Sequence, residues 1–126
     1  MEQIIKKADV LIEALPYIKA FQNKIVVIKH GGSTISEEEN TLGLLEDIIF
    51  LNLVGIKPVL IHGGGPAISE RLKNSGRKVQ FVHGLRVTDA STIKVVDETL
   101  NAINKDLVEK FSSLGQKAVG LTSKDK

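Results

Sequence analysis

The sequence predicts an α/β fold, a three-layer sandwich in which a mostly parallel sheet is flanked by helices. Helical and strand-like segments alternate along nearly the whole chain in the order α, β, α, β, α, short β, α, β, which is the pattern of crossover-connected parallel strands. Two short runs, KIVVIK at 24–29 and PVLIH at 58–62, are continuous and rich in β-branched residues, as in strands buried on both faces. Each runs straight into glycines and then a helix. Right-handed crossovers would bring both glycine loops to one edge of the sheet.

The elements follow in order. Ile4, Ala8, Leu11, Ile12 and Leu15 recur at helical spacing and form one apolar stripe. Pro16 disfavours helical geometry at Leu15, so a break or kink is expected there, with a short further turn through Phe21. After the strand at 24–29, Ser36 and Glu39 have the spacing of a capping box. They open a helix expected to turn Leu42, Leu45, Ile48, Ile49 and Leu53 inward, with Gly55 at its end. Pro66 suits the first turn of the next helix, whose inner positions are Ile68 and Leu72. Val79 to Val82 reads as a weak strand. Asp89 is the expected N-cap of the longest helix, which carries Ile93, Val96, Leu100, Ile103, Leu107, Phe111 and Leu114 at helical spacing. Ala118 to Leu121 reads as a last strand. The expected organisation is a helical extension over 1–23 and a domain over 24–126.

Composition narrows the function classes. The chain has 126 residues, 42% hydrophobic and 25% charged, enough for one packed domain. Aromatics are only 4%, so the core must be aliphatic. The net charge is +2, with no basic stripe and no aromatic–basic interleaving, which argues against nucleic acid as a partner. There is no cysteine, so thiol catalysis, disulfides and cysteine-bound zinc are out. No segment approaches the roughly 20 apolar residues of a membrane span, and the N-terminus lacks the unbroken apolar core of a signal peptide. A soluble, cytoplasmic protein with no membrane partner is expected, a plastid setting staying open.

The chemistry sits in two loops, Lys29-His30-Gly31-Gly32-Ser33 and His62-Gly63-Gly64-Gly65-Pro66. Glycine lets backbone approach a ligand closely, and successive N–H groups beside a helix N-terminus form an anion site. Two such loops at equivalent junctions, the first entered by a lysine, point to phosphoryl-group chemistry. The alternative is a pair of tight turns. Neither loop is a P-loop or a dinucleotide-binding motif. Lys29 could neutralise charge on a transferring phosphoryl group, or be a solvated strand-end lysine. Arg86 precedes the longest helix, and its planar fork suits a carboxylate; the alternative is an ion pair with Asp89. His30, His62 and His83 match no zinc spacing, so no metal site is expected. His62 is read as a loop-entry residue whose ring orders neighbouring backbone.

Several segments together resemble the N-acetylglutamate kinase branch of the amino-acid kinase family. They are EALPYIK at 13–19, VIKHGG at 27–32, GIKPVLIHGGGPAIS at 55–69, GLRVTD at 84–89, NK at 104–105 and AVGLTSKD at 118–125. The HGGGP string followed by RVTD separates this branch from carbamate and aspartate kinases. The resemblance implies ATP-dependent phosphorylation of the side-chain carboxylate of N-acetyl-L-glutamate, on the route to arginine, with ATP and Mg²⁺ as co-substrate. It implies Lys29 as the transition-state-stabilising catalytic lysine, Gly31 and Gly32 as phosphate-binding, Gly64 and Gly65 as contacts to the acyl substrate, and Arg86 as the clamp on its α-carboxylate. It further implies a homo-oligomer, a dimer or a hexamer interlocked through the N-terminal helix at Leu11, Ile12 and Leu15. Family members are longer. The resemblance covers their N-terminal half and leaves out the nucleotide-binding half, so this chain alone is expected to be inactive and to expose an apolar sheet edge. His30 departs from the aromatic or aliphatic residue usual before the glycines. Ser123 and Lys126 replace glycines, which could alter the turn after the last strand.

Overall fold

The computed structural model describes residues 2–31 and 38–125. Gly32, Ser33 and Ser36, and the side chain of Glu39, lie outside that description, and with them the capping box and one predicted phosphate-binding glycine. The elements are α1 (Glu2–Phe21), β1 (Ile25–His30), α2 (Glu38–Leu53), β2 (Lys57–His62), α3 (Gly65–Asn74), β3 (Phe81–Val82), β4 (Leu85–Arg86) and α4 (Thr92–Ser113). The fold is α/β. β1 and β2 pair in parallel, from Ile25↔Lys57 to His30↔His62, and helices pack on the Ile28 and Leu60 side of this sheet, so the third layer of the expected sandwich is not seen among the described residues.

Strand pleating decides which residues meet the core. Val26, Ile28 and His30 of β1 and Pro58, Leu60 and His62 of β2 point toward the helices and are buried or half-buried. Behind Ile28 and Leu60 lies the core proper: Leu45 and Ile48 of α2 with Leu107 and Phe111 of α4. The same alternation corrects the expectation that the strands are buried on both faces. Ile25, Val27, Val59 and Ile61 point the other way and are exposed, Ile25 by 70%. Among the described residues, no layer covers that face.

Three helices end in the same way. Ile56 N–H donates to Leu51 O, Arg77 N–H to Leu72 O and Gln116 N–H to Phe111 O, each just after a glycine at positive φ. This 6→1 closure satisfies carbonyls that a helix end leaves open. Gly55 therefore stops α2 as expected. Leu53, however, points outward rather than into the core, and so does Ile93 of α4.

α1 runs unbroken through Pro16, against the expected break. Proline removes one helical bond and crowds the preceding turn. Here Ile12, whose carbonyl loses that bond, sits on an exposed helix where water can replace it. Most of α1 is exposed, including Leu11, Ile12 and Leu15. Among the described residues, no helix is long and apolar enough to cross a membrane.

The predicted strand at 118–121 does not form. Val119 and Leu121 are exposed, and a groove of about 670 Å³ separates this segment from β2. A strand needs a neighbour at hydrogen-bonding distance, and here a gap lies between the two. The weak strand at 79–82 shortens to Phe81–Val82 and pairs with Leu85–Arg86 in an antiparallel hairpin. Its turn residues His83 and Gly84 have φ of 48° and 79°, the signs of a type I′ turn. The turn after 121 survives its lost glycine: Thr122 N–H and Oγ1 both donate to Asp125 Oδ2, at 2.5 and 2.9 Å.

Asp89 caps α4 from just outside it. Its Oδ1 accepts from Thr92 N–H at 2.6 Å and from Ser91 N–H and Oγ at 3.0 and 2.9 Å. These bonds, that of Thr92 N–H first, lower its pKa from 3.8 to about 2. The folded state thus prefers the carboxylate, so the stabilisation is present above about pH 4 and is lost as pH falls through about 2. Asp89→Ala is expected to lower the thermal midpoint at pH 7 and to flatten the decline in stability between pH 4 and 2, measured by calorimetry across that range. A variant with an unchanged acid profile would show that the cap contributes nothing to folding.

Candidate functional site

Parallel pairing brings the ends of β1 and β2 side by side, and with them the two glycine loops. Gly63 N–H donates to His30 O at 3.1 Å, tying one loop to the other. Lys29 stands one residue back, on the exposed face of the sheet beside Ile61, its register partner. Gly31 follows β1 and is exposed. His30 turns the opposite way and is buried.

The three glycines of the second loop have different jobs. Gly64 is buried at the N-cap of α3 with an extended φ of −161° that any residue could adopt. Its constraint is steric: a Cβ there would stand 2.9 Å from Leu100 Cδ2 and 3.0 Å from Ile103 Cδ1. Gly64 is therefore a packing glycine, admitting α4 against the start of α3. Gly65 is exposed, and a Cβ on it would enter open space. Gly64→Ala is expected to cost ~1–3 kcal/mol of stability through overpacking. Gly65→Ala should leave the unfolding midpoint almost unchanged. Paired chemical denaturation curves check this contrast, and equal midpoints would remove the packing role assigned to Gly64.

His62 orders the loop it enters. Its Nδ1 lies 3.3 Å from Gly63 O, and its Nε2 lies 3.4 Å from Asn104 Nδ2 of α4. Donation from Asn104 to Nε2 leaves the proton on Nδ1, facing the Gly63 carbonyl. The same Asn104 amide donates to Leu121 O at 3.3 Å, so one side chain spans from β2 to the last segment. A Cβ on Gly120 would overlap Asn104 Oδ1, which explains a glycine at that position.

Arg86 is the best-defined cation of the cluster. The β3–β4 hairpin carries it over the start of α3, where Nη2 donates to Gly65 O at 3.0 Å and to Ser69 Oγ at 2.7 Å. The guanidinium carbon lies 4.7 Å from the centre of the Phe81 ring, at cation–π distance. Nη1 is buried and, among the described residues, has no hydrogen-bond partner. The alternative of an Arg86–Asp89 ion pair is not what the structure shows, since Asp89 is engaged at the α4 cap. Ser69 and Phe81 were not singled out from sequence. Nothing short of the hairpin register, which sets Phe81 opposite Arg86, could have identified the ring contact.

A buried guanidinium N–H without an acceptor costs free energy unless a ligand supplies one. Its fork geometry and charge select an oxyanion, a carboxylate first. Lys29, Gly31 and Gly63–Gly65 lie at the same strand ends, and Arg86 is joined to this edge through Gly65 O.

The amino acid kinase family model matches residues 24–125. The chain belongs to the amino acid kinase family. Within that family the chain is 50% identical over 125 residues to an acetylglutamate kinase of Campylobacter jejuni, covering 99% of this chain and 45% of that protein. It is 48% identical to an acetylglutamate kinase of Halothermothrix orenii, covering 43% of it, and 47% identical to one of Methanocaldococcus jannaschii, covering 42%. The chain thus spans less than half the length of the relatives it matches. Among solved structures it superposes on an N-acetylglutamate synthase of Neisseria gonorrhoeae complexed with coenzyme A and N-acetyl-glutamate. The TM-score is 0.70 at 26% identity, over 81% of this chain and 24% of that one. It also resembles smu.665 from Streptococcus mutans, with a TM-score of 0.69 at 31% identity over 79% of this chain and 40% of the other. These amino acid kinase relatives agree with the α/β fold derived from the strands and helices.

Proposed function

We propose that this chain is the acyl-substrate-binding part of an acetylglutamate kinase. In that reading the complete enzyme transfers the γ-phosphoryl group of ATP to the side-chain carboxylate of N-acetyl-L-glutamate, in the biosynthesis of arginine. The observation that carries it is Arg86, whose fork is held on one side by Gly65 O and Ser69 while Nη1 is buried without an acceptor. A substrate α-carboxylate is an acceptor that suits this guanidinium. The relatives' name as acetylglutamate kinases and the N-acetyl-glutamate held by the Neisseria gonorrhoeae synthase support the choice of ligand.

Placement among the described residues supports the remaining roles. Gly65 lies at the first turn of α3, beside Arg86, where backbone N–H groups and the helix dipole favour an anion. Lys29 and Gly31, with Gly32 beyond the described residues, would meet the phosphoryl group as it transfers, neutralising its charge without covalent chemistry. Gly64 contacts substrate through backbone alone, its missing Cβ being claimed by α4. Mg²⁺ is expected with ATP, yet no group of three His, Asp or Glu residues that could hold a metal occurs among the described residues. No step is therefore assigned to the ion here. ATP itself belongs with the complete enzyme. The extension 1–23 would join subunits into a homo-oligomer, and the exposed Leu11, Ile12 and Leu15 of α1 are the faces that fit such a contact.

A second reading is a non-catalytic module that binds N-acetyl-L-glutamate or associates with full-length subunits, favoured by the exposed apolar residues Leu11, Ile12 and Leu15 of α1. One experiment tests both. The purified chain is titrated with N-acetyl-L-glutamate by calorimetry and assayed for its phosphorylation with MgATP. Binding without turnover is expected of the acyl-substrate part alone. Turnover lost in Lys29→Ala would show that this length suffices for catalysis, and an absence of binding would sink the first reading and the ligand-binding form of the second.

A further inference from the structure

Among the described residues, Arg86 is not held by an ion pair. No carboxylate faces it among the described ion pairs, and both protons of Nη2 go to neutral oxygens, Gly65 O and Ser69 Oγ. Ser69 sits one turn into α3, half-buried, and its own Oγ donates to that same Gly65 carbonyl at 2.9 Å. The three groups close a triangle. A hydroxyl can do this because it donates one bond while accepting another. The Phe81 ring packs on the guanidinium at 4.7 Å. One end of the fork is thereby fixed in position and in rotation, and the other end, Nη1, keeps its donors while being buried from water.

We infer that Ser69 is a positioning residue for the Arg86 guanidinium, fixing the rotation of the fork that meets the carboxylate of the ligand. This rests on the proposed binding of N-acetyl-L-glutamate and adds to it a residue that need not touch the ligand. Without the Ser69 hydroxyl, Nη2 keeps only the Gly65 carbonyl. The fork can then turn, and each ligand molecule must order it afresh, at a cost in affinity. Serine at this position is otherwise unremarkable in sequence: its one other bond is an ordinary back-bond to the residue four before it.

The test has two readouts on the purified chain. The first is the proton NMR signature of the Arg86 guanidinium, where restricted rotation of the Nη groups gives resolved signals. These are expected in the wild type and in Ser69→Thr, which keeps the hydroxyl, and are expected to broaden or merge in Ser69→Ala. The second is N-acetyl-L-glutamate affinity by calorimetry. Ser69→Ala is expected to bind about tenfold more weakly, the loss of roughly one charge-assisted hydrogen bond, with Ser69→Thr close to wild type. The penalty should shrink toward nothing for the analogue whose α-carboxylate is an amide. A wild type that binds while Ser69→Ala binds equally well would overturn the positioning role and leave the substrate reading intact. A penalty of the same size for the amide analogue would also overturn it, because Ser69 would then act elsewhere than through Arg86 on that carboxylate. A wild type that binds no N-acetyl-L-glutamate would remove the substrate reading and this inference together.

Discussion

Arg86→Ala is expected to weaken N-acetyl-L-glutamate binding by roughly 30-fold or more. Removing one member of a buried, hydrogen-bonded charge pair costs ~2–5 kcal/mol, and each 1.4 kcal/mol is about tenfold in affinity. The fold should persist. Arg86 is half-buried on a two-residue strand, and the groups it leaves behind, Gly65 O and Ser69 Oγ, retain their bond to each other. Arg86→Lys should fall between the two, since lysine restores the charge but not the fork that meets a carboxylate at two points. Isothermal calorimetry on the three proteins, with circular dichroism as the folding check, decides the matter. Equal affinities in wild type and Arg86→Ala would place the ligand elsewhere.

The second large effect concerns stability. Leu45→Ala is expected to cost ~2–5 kcal/mol, the range for a buried leucine whose cavity does not collapse. Leu45 is fully buried at the centre of the cluster formed with Ile48, Leu107 and Phe111. That cluster is small, and one face of the sheet contributes nothing to it. A domain of this size rarely has more than about 5–15 kcal/mol in total. The substitution should therefore lower the thermal midpoint by roughly 10–20 °C or leave the chain largely unfolded at room temperature. Leu53→Ala makes the internal comparison: the same chemistry at an exposed position of the same helix should change little. Equal losses in the two variants would mean that the packing of α2 against the sheet is not as described.

The exposed face and the groove beside β2 bear on how such a domain sits in a longer relative. Ile25, Val27, Val59 and Ile61 are strand residues of a kind that proteins seldom leave to water in a contiguous row. The groove is lined by Leu60 and His62 on one side and Ala118 to Leu121 on the other. The local sequence is consistent with burial at each of these places, and the described residues do not provide it.

Much of the fold was legible along the chain because it rests on local physics. The β-branched runs at 24–29 and 58–62, the helical spacing of Leu45, Ile48, Leu107 and Phe111, and the capping chemistry of Asp89 act over a few residues. The same holds for the candidate site at the level of residue type: Arg86, Lys29 and the two glycine loops carry their chemistry in composition and order. What failed did so where a partner was required. Ala118–Leu121 has strand propensity and no neighbouring strand; Val27 and Ile61 have core propensity and no covering layer.

By itself, then, the sequence determined the α/β class, the order of the main helices and parallel strands, and the position of the glycine loops. Tertiary structure alone decided what each does there. It made Gly64 a packing residue by bringing Leu100 and Ile103 within 3.0 Å of its missing Cβ, and kept Gly65 open. It assigned Asp89 to the helix cap rather than to Arg86. And it set Ser69 and Phe81 around the guanidinium, joining positions 17 and 5 residues away in the chain to Arg86. Those assignments depend on distances between elements remote in sequence, and such distances are set by packing and strand register, which no local pattern encodes.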